Sequence, residues 1–300
     1  MRTGFLYAAL AFTTWGLFPL YLHFIRQVPA FEVVLHRSTW ALLFVLLVLT
    51  AQRRWAWLAQ TMRQPRLLGL FGFSALLLSV NWLVYVYAVQ SGNVLQASLG
   101  YFINPLISVL LGVVVLRERL RSVQWAAVAL AACGVIWLTV QAGTLPWLAL
   151  LLACSFGVYG LVRKTAPLGA LEGLTLENML LAPLVLPLLA WWTWRHGGAI
   201  ADAALGNPVP LGWLLLGGPL TALPLLWFAA AARRLPLAML GMAQYLSPSM
   251  QFLLAIWVFN EPFDMQRLVG FVFIWSALLL ISADAMGLLR PRLPTPELPH

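Results

Sequence analysis

Three ionisable side chains lie inside long apolar segments of the sequence, where a charge is costly. His36 and Arg37 stand about seven residues, roughly 10 Å in a helix, into the apolar segment 30–50, and Glu177 lies similarly deep in 171–194. A charge inside hydrocarbon costs about 2.5 to 3.5 kcal/mol on insertion scales. We therefore expect all three to face the protein interior, Arg37 to receive an anionic group of a ligand, and Glu177 or His36 to carry a proton. Alternatively, each side chain extends towards its nearest interface.

A second set of polar residues surrounds two prolines at matching positions. The run GYFINP at 100–105 is echoed by MAQYLSP at 242–248, so Pro105 and Pro248 stand 143 residues apart. A proline has no N–H for the carbonyl four residues earlier, so we expect both to interrupt their helices at mid-membrane depth and to act as hinges. Matched interruptions indicate a ligand site, because unpaired backbone at that depth needs protein or a polar cavity around it. A kink healed by a neighbouring polar side chain is the alternative.

The predicted ligand site draws amide and aromatic side chains from several segments. Around Pro105, small or polar residues recur every four positions and form one stripe, a pattern that also serves close helix packing. Aromatic residues at mid-depth usually pack in the core or face lipid, and we select those with polar neighbours. The stripe contains Gln96, Gly100, Asn104, Ser108 and Gly112. The candidate lining residues are Trp15, Asn81, Trp82, Tyr85, Tyr101, Asn104, Tyr159, Gln244, Tyr245 and Gln251.

These residues need a membrane-embedded bundle of helices to position them. The chain is 62% hydrophobic and 9% charged, whereas soluble domains are about 25% charged. A membrane-spanning helix needs about 20 apolar residues, and such segments follow one another along the chain. They lie at 4–24, 30–50, 67–90, 94–116, 122–140, 145–163, 171–194, 209–232, 236–258 and 267–288. The sequence therefore predicts an all-α polytopic membrane protein with ten transmembrane helices.

The basic residues predict the orientation of these helices. With the N-terminus inside, the cytoplasmic loops contain 14 of the 18 Lys and Arg residues, which is the distribution expected of inner-membrane proteins. They are Arg2, Arg53, Arg54, Arg63, Arg66, Arg117, Arg119, Arg121, Arg163, Lys164, Arg233, Arg234, Arg290 and Arg292. We expect both termini in the cytoplasm of a bacterium, and the Arg- and Trp-containing loop 52–57 to contact anionic lipid, not nucleic acid.

The matching prolines belong to a longer internal repeat. Glu118 and Glu261 also recur at an offset of 143, which predicts repeats over 1–141 and 142–288 with a cytoplasmic tail at 289–300. Each repeat holds five helices, so the second must enter the membrane from the opposite side. Inverted repeats are typical of secondary transporters, in which two equivalent halves alternate around one site.

Other functional classes lack their sequence signals. The chain has no nucleotide-binding GxxxxGK[ST] loop, no HExxH and no GxSxG, so we expect neither ATP-driven transport nor an enzyme. Cys133 and Cys154 lie in apolar segments without neighbouring metal ligands, which predicts packing roles and no metal or cofactor. Glu32, Glu172 and Asp284 lie near segment ends, where we expect solvent to hydrate them.

Several motifs together resemble a known family. The run ASLGYFINPL at 97–106, the run SFGVYGLVRK at 155–164, the pairs His36-Arg37 and Asn81-Trp82, and the pattern QYxxP at 244–248 are similar to the RarD-type EamA proteins of the drug/metabolite transporter superfamily. The resemblance covers roughly residues 4–284. It implies two EamA repeats, ten helices and export of metabolites or drugs. It also implies a cavity lined mainly by helices one, three, four, six, eight and nine, with helix two peripheral, which weighs against a cavity role for Arg37.

The sequence thus favours a secondary exporter of amino-acid-like or amphipathic organic compounds, driven by proton exchange or by the substrate gradient. A sensor or accessory protein that keeps the transporter fold without flux is the alternative, and an intramembrane enzyme is less favoured. The expected partners are a small-molecule substrate and the lipid bilayer, and the chain is expected to be a monomer or a homodimer.

Overall fold

The computed structural model describes residues 2–90, 94–142, 147–199, 211–258, 265–286 and 288, and all regular structure in these ranges is helical. The helices are α1 Arg2–Phe24, α2 Ala30–Ala51, α3 Ala56–Met62, α4 Pro65–Gln90, α5 Val94–Val114, α6 Ser122–Ala142, α7 Trp147–Thr165, α8 Ala170–His196, α9 Leu211–Ala232, α10 Leu237–Ala243, α11 Leu246–Trp257 and α12 Met265–Ala285. Within the described ranges, the predicted segment ends agree with these bounds to within a few residues.

Seven described helices are long and apolar enough to cross a membrane. They cover Arg2–Phe24, Ala30–Ala51, Pro65–Tyr85, Ser122–Gln141, Trp147–Thr165, Ala170–His196 and Gly212–Ala232. Shorter apolar stretches, Leu99–Val114 and Leu268–Asp284, lie in α5 and α12. The chain is therefore a polytopic helical membrane protein.

Contacts between helix ends show which ends lie together on each of the two faces of the bundle. Lys164 at the end of α7 donates to the carbonyl of Leu235 after α9 and lies 3.7 Å, Nζ to Oε1, from Glu118 after α5. The start of α1 packs against Leu235, so we call this side the N-face. On the opposite side, the far face, Glu32 at the start of α2 accepts a 3.0 Å hydrogen bond from Trp192 near the end of α8.

The helices pack in two groups around two large apolar cores. One core joins α1, α2, α4, α7, α8, α9 and α10 and includes Phe12, Tyr159 and Phe228. The other joins α5, α6, α7, α10 and α12. Between elements, α5 packs on α7 and α10, α6 on α12, α1 on α9 and α11, α2 on α8 and α9, and α4 on α7 and α8. The space between the two groups becomes the site described below.

One of the two predicted helix interruptions is present. The segment predicted at 236–258 divides into α10 and α11 around a turn at Gln244 and Tyr245, whereas α5 runs through Pro105 without a break. The break precedes Pro248, which lies in the first turn of α11, where backbone N–H groups have no partner within the helix. The expected free carbonyl of Gln244 is instead paired, because the Ser247 N–H donates to it at 3.1 Å.

Several charged residues that we expected at hydrated interfaces are buried. Glu32, Glu172 and Asp284 are at most 7% exposed, and each has a polar partner: Trp192 for Glu32, and arginines for the other two. Arg163, counted above among the loop residues, is 1% exposed. The apolar segments do not reveal these interactions, because the partners are distant in sequence. Cys133 and Cys154, expected to be packed, are exposed. Glu261 and the tail 289–300 lie outside the described residues.

Two adjacent glycines set the distance between α2 and α9. A Cβ on Gly218 would lie 2.4 Å from the backbone carbonyl carbon of Trp40 in α2. One on Gly217 would lie 3.3 Å from Arg37 Cγ in α2 and 2.4 Å from the Tyr21 hydroxyl in α1. These contacts are closer than van der Waals separation, so the helices approach this closely only because side chains are absent. This approach brings Arg37 of α2 beside Thr221 of α9.

We predict that Gly218→Ala lowers the thermal stability of the detergent-solubilised protein, because the added methyl group meets backbone that cannot rotate away. Overpacking of this kind costs about 1 to 3 kcal/mol. Gly212→Ala in the same helix is the control, because its Cβ would have no heavy atom within 4 Å outside its own helix and chain neighbours. Melting measured by size-exclusion chromatography after heating tests this, and equal melting temperatures for the two variants would contradict the packing account.

Candidate functional site

A cavity of about 180 Å³, measured as the space open to the centre of a water molecule, lies between the two helix groups. A cavity needs about 10 to 15 Å³ of such space to hold one water, so this cavity can hold several waters or a small organic molecule. Its walls come from both halves of the chain, and on α1 they extend from Phe12 near the middle to Leu22 near the far face. The lining residues are Phe12, Trp15, Phe18, Pro19, Leu22, Arg37, Leu78, Asn81, Trp82, Tyr85, Gly100, Tyr101, Asn104, Leu152, Phe156, Thr221, Leu225, Gln244, Ser247, Pro248 and Gln251.

The close crossing of α5 and α10 forms one wall of the cavity. A Cβ on Gly241 would lie 2.7 Å from the Pro105 carbonyl oxygen, and a Cβ on Gly112 would lie 3.0 Å from the Ala238 nitrogen. The small-residue stripe of α5 therefore packs against α7 and α10, as its alternative packing interpretation proposed. The side chain of Gln96, the first residue of that stripe, lies outside the described residues.

Amide side chains join the two helices at this crossing. Asn104 Nδ2 donates to Gln244 Oε1 at 2.7 Å, and Gln244 Nε2 donates to Ser108 Oγ at 3.1 Å. Asn104 Oδ1 is buried without a hydrogen-bond partner among the described residues. The turn between α10 and α11 thus places the Gln244 amide against α5.

Arg37 faces the cavity, although the resemblance implied a peripheral helix two. Its Nε donates to Thr221 Oγ1 at 2.9 Å, and Thr221 in turn donates to the Gly217 carbonyl at 2.7 Å. The guanidinium carbon lies 4.4 Å from the centre of the Phe18 ring and 5.7 Å from that of Trp82. No acidic side chain of the described residues lies within 4.0 Å of the Arg37 guanidinium.

The remaining predicted cavity residues are largely held by hydrogen bonds to backbone. Asn81 Nδ2 donates to the Leu152 carbonyl and to Ser155 Oγ, both at 2.9 Å. Gln251 Nε2 donates to the Trp15 carbonyl at 3.1 Å. Tyr85 and Tyr101 stand with their rings 6.2 Å apart, centre to centre. These bonds fix the cavity walls, and the aromatic faces remain available to a ligand.

Four predicted residues do not line this cavity. Tyr159 and Tyr245 are fully buried in the two apolar cores. His36 points away from Arg37, as consecutive helical residues do; its Nε2 lies 3.6 Å from Glu32 Oε1, and its Nδ1 accepts from Trp40. Glu177 is buried nearer the N-face, where we did not expect a partner for it.

Glu177 belongs to a separate buried cluster. Its Oε1 accepts a 2.5 Å hydrogen bond from Ser74 and lies 3.5 Å from Arg163 Nη1, and its Oε2 lies 3.5 Å from the Tyr159 hydroxyl. A Cβ on Gly173 would lie 2.0 Å from Arg163 Nη1, so this glycine makes room for the guanidinium. Glu177 and Arg163 are each at most 1% exposed. The sequence signal for this cluster was the depth of Glu177, and nothing in the sequence pointed to Arg163 or Ser74.

Comparison with known proteins identifies the family. The EamA-like transporter family matches residues 2–140. An uncharacterized transporter of Pseudomonas aeruginosa is 44% identical over 99% of this chain and 98% of its own length. Protein RarD of Streptomyces exfoliatus is 43% identical over 96% of this chain and 91% of its own. Protein RarD of Escherichia coli is 41% identical over 95% of each. This chain is a RarD-type member of the EamA transporter family.

A crystal structure of another protein shares the fold. It superposes with a TM-score of 0.70 at 18% identity and covers 96% of this chain and 99% of its own. At that identity the likeness concerns the fold alone. The RarD-type membership establishes that the chain is a transporter of the drug/metabolite superfamily in a multi-pass membrane setting.

We predict that Asn104 and Gln244 are energetically coupled. Replacing either by Leu leaves a buried polar partner unpaired, which costs about 1 to 3 kcal/mol, whereas replacing both removes the two partners together. The double variant Asn104→Leu/Gln244→Leu should therefore melt at a higher temperature than the sum of the single effects predicts.

The matched control is Asn178→Leu, because Asn178 is equally buried but, among the described residues, its amide bonds only to the Leu174 carbonyl of its own helix. Combined with Gln244→Leu, it should show additive effects. Additivity in the Asn104 pair as well would contradict coupling across the α5–α10 crossing.

Proposed function

We propose that this RarD-type protein is a secondary exporter of small organic molecules with ten membrane spans in two inverted repeats, at 1–141 and 142–288. The cavity is its substrate site, and alternating access occurs by rocking of the repeats about the crossing of α5 with the interrupted α10–α11 element. The observation that carries the proposal is one cavity, walled by both halves, with polar groups fixed at the helix crossing. The outward direction rests on the family resemblance.

A pair of equivalent clusters supports the inverted repeat. Arg37 bonds to Thr221 and lies over Phe18 at the cavity, while Glu177 bonds to Ser74 and approaches Tyr159 near the N-face. Each member has its counterpart at an offset of 140 to 147 residues: Arg37 and Glu177, Phe18 and Tyr159, Ser74 and Thr221. The same three-residue arrangement thus occurs twice, each time with residues from both halves and with opposite charge at its centre.

Helix packing has the same symmetry. In the two repeats, α1 corresponds to α7, α2 to α8, α4 to α9, α5 to the α10–α11 element and α6 to α12. Exchanging the halves therefore converts the α1–α9 contact into α7–α4, α1–α11 into α7–α5, and α2–α9 into α8–α4. All of these contacts are present. The α6–α12, α2–α8 and α5–α10 contacts convert into themselves. Such a bundle has two related arrangements in which either face can be the open one.

The two clusters differ in state, which supports alternation between them. The Arg37 cluster opens into the cavity, while the Glu177 cluster is buried and closed by Arg163. When the repeats exchange shapes, the cavity opens to the N-face, the cytoplasmic side by the distribution of basic residues, and the Arg163–Glu177 pair separates. Glu177 then exchanges a proton with water, and this couples transport to the proton gradient.

Counterflow in proteoliposomes tests the transport proposal. Vesicles preloaded with a panel of amino acids and amphipathic organic compounds should exchange at least one compound. The Asn104→Leu/Gln244→Leu variant should lose this exchange, because it removes the polar groups at the crossing. Cys133→Ala, an exposed position outside the cavity, should not. Binding without exchange would favour the sensor or accessory function instead.

Glu177→Gln is predicted to remove the response of exchange to an imposed pH gradient, because the amide cannot carry a proton. Glu172→Gln is the matched control: it lies on the same helix and pairs with the half-exposed Arg54. Melting temperatures measured in parallel separate loss of coupling from unfolding. If Glu177→Gln responds to the gradient like the unmodified protein between pH 5.5 and 8.5, the proton role is wrong.

A further inference from the structure

The charge of the cavity carries an inference about the substrate. Arg37 is the one ionic side chain among the described residues that line it, and no Asp or Glu of the described residues does so. The described lining therefore has a net charge of one positive unit. A buried charge without a counter-ion is unfavourable, so a ligand that supplies the opposite charge is favoured there.

The guanidinium of Arg37 has unused donors. Arginine carries five N–H groups, and Thr221 Oγ1 is the acceptor that the described residues provide for one of them. The bond from Thr221 to the Gly217 carbonyl fixes the hydroxyl, which in turn fixes the guanidinium plane. The planar, fork-shaped array of N–H groups that remains suits the two oxygens of a carboxylate or related oxyanion.

The surroundings of Arg37 are aromatic. Phe18 and Trp82 lie beside the guanidinium, and Tyr85, Tyr101 and Trp15 continue the wall. Rings beside the cation replace part of its lost hydration, but they add no negative formal charge. They also provide apolar surface for the body of a ligand. The site therefore combines one anion-binding group with an apolar, aromatic surround.

We propose that the substrate is an organic monoanion with an apolar or aromatic body, whose carboxylate or sulfonate binds Arg37. This rests on the proposed function and adds the substrate class. An ammonium group is not required, because the described lining offers no carboxylate to it.

Five compounds with one shared phenylethyl body test the class on the unmodified protein. They are 3-phenylpropanoate, 2-phenylethanesulfonate, 3-phenylpropanamide, 2-phenylethylammonium and phenylalanine. Calorimetric titration in nanodiscs should show that the two anions bind about 10- to 100-fold more tightly than the amide and the ammonium, as expected for hydrogen bonds to a charged group. Phenylalanine should bind more weakly than 3-phenylpropanoate.

Variants identify the residue responsible. Arg37→Gln should weaken binding of both anions about 10- to 100-fold and leave the amide within about threefold. Arg37→Lys should restore part of the loss, since it keeps the charge but not the planar fork. Arg66→Gln, an exposed residue at the start of α4, removes the same charge away from the cavity and should change nothing.

The outcomes separate this proposal from the transport proposal. The monoanion class is wrong if phenylalanine, the amide or the ammonium binds more tightly than the two anions. It is also wrong if neither anion binds, even if other compounds exchange in counterflow. Binding of the anions that depends on Arg37 supports the class even if no flux is detected, and the transport proposal alone then fails. The sulfonate, which stays ionised and does not leak through lipid, is the compound for the counterflow measurement.

Discussion

The main physical constraint on the structure of this protein is the free-energy cost of placing a charge in hydrocarbon. Arg37, Arg163 and Glu177 all lie within apolar helices, where an unpaired ion is unfavourable. The fold accommodates them in two ways. Arg163 and Glu177 compensate each other in a buried cluster, with Ser74 as a further donor. The Arg37 guanidinium bonds to the Thr221 hydroxyl, lies beside the rings of Phe18 and Trp82, and faces the cavity.

Close helix approach is what makes these arrangements possible. Gly217 and Gly218 let α9 approach α2 near Arg37, Gly173 makes room for Arg163, and Gly241 lets α10 contact the α5 backbone. In a bilayer, helix association depends on such contacts and on hydrogen bonds between helices, because lipid is as apolar as the side chains it replaces. The Asn104–Gln244 bond at the glycine-lined crossing combines both, and it lies where the two halves of the cavity meet.

Membership of the RarD-type EamA family and the internal symmetry of the chain lead to the same architecture from different directions. The family match covers the first half of the chain, and its relatives match nearly all of it. The equivalent clusters around Arg37 and Glu177 relate the two halves independently of those matches. Their opposite charges mean that the two faces are not chemically equivalent. The exchange of repeats that we propose would therefore change the environment of a cation on one side and of an anion on the other.

The sequence by itself determined the helical membrane architecture and the family, and its candidate lining residues include eight of the 21 residues that line the cavity. Apolar length and the repeat are local or periodic properties, which is why the helix ends and residues such as Asn104 and Gln244 were predictable. Only the tertiary structure decided which side of each helix faces the cavity. Arg37 and His36 are adjacent in sequence but point in directions about 100° apart, so one lines the cavity and the other packs against Glu32. Likewise, Pro105 and Pro248 match in sequence, yet only one helix is interrupted. The partners Thr221, Ser74 and Arg163 could not be predicted, because their roles depend on distances between helices that are set by glycine contacts far apart in the chain.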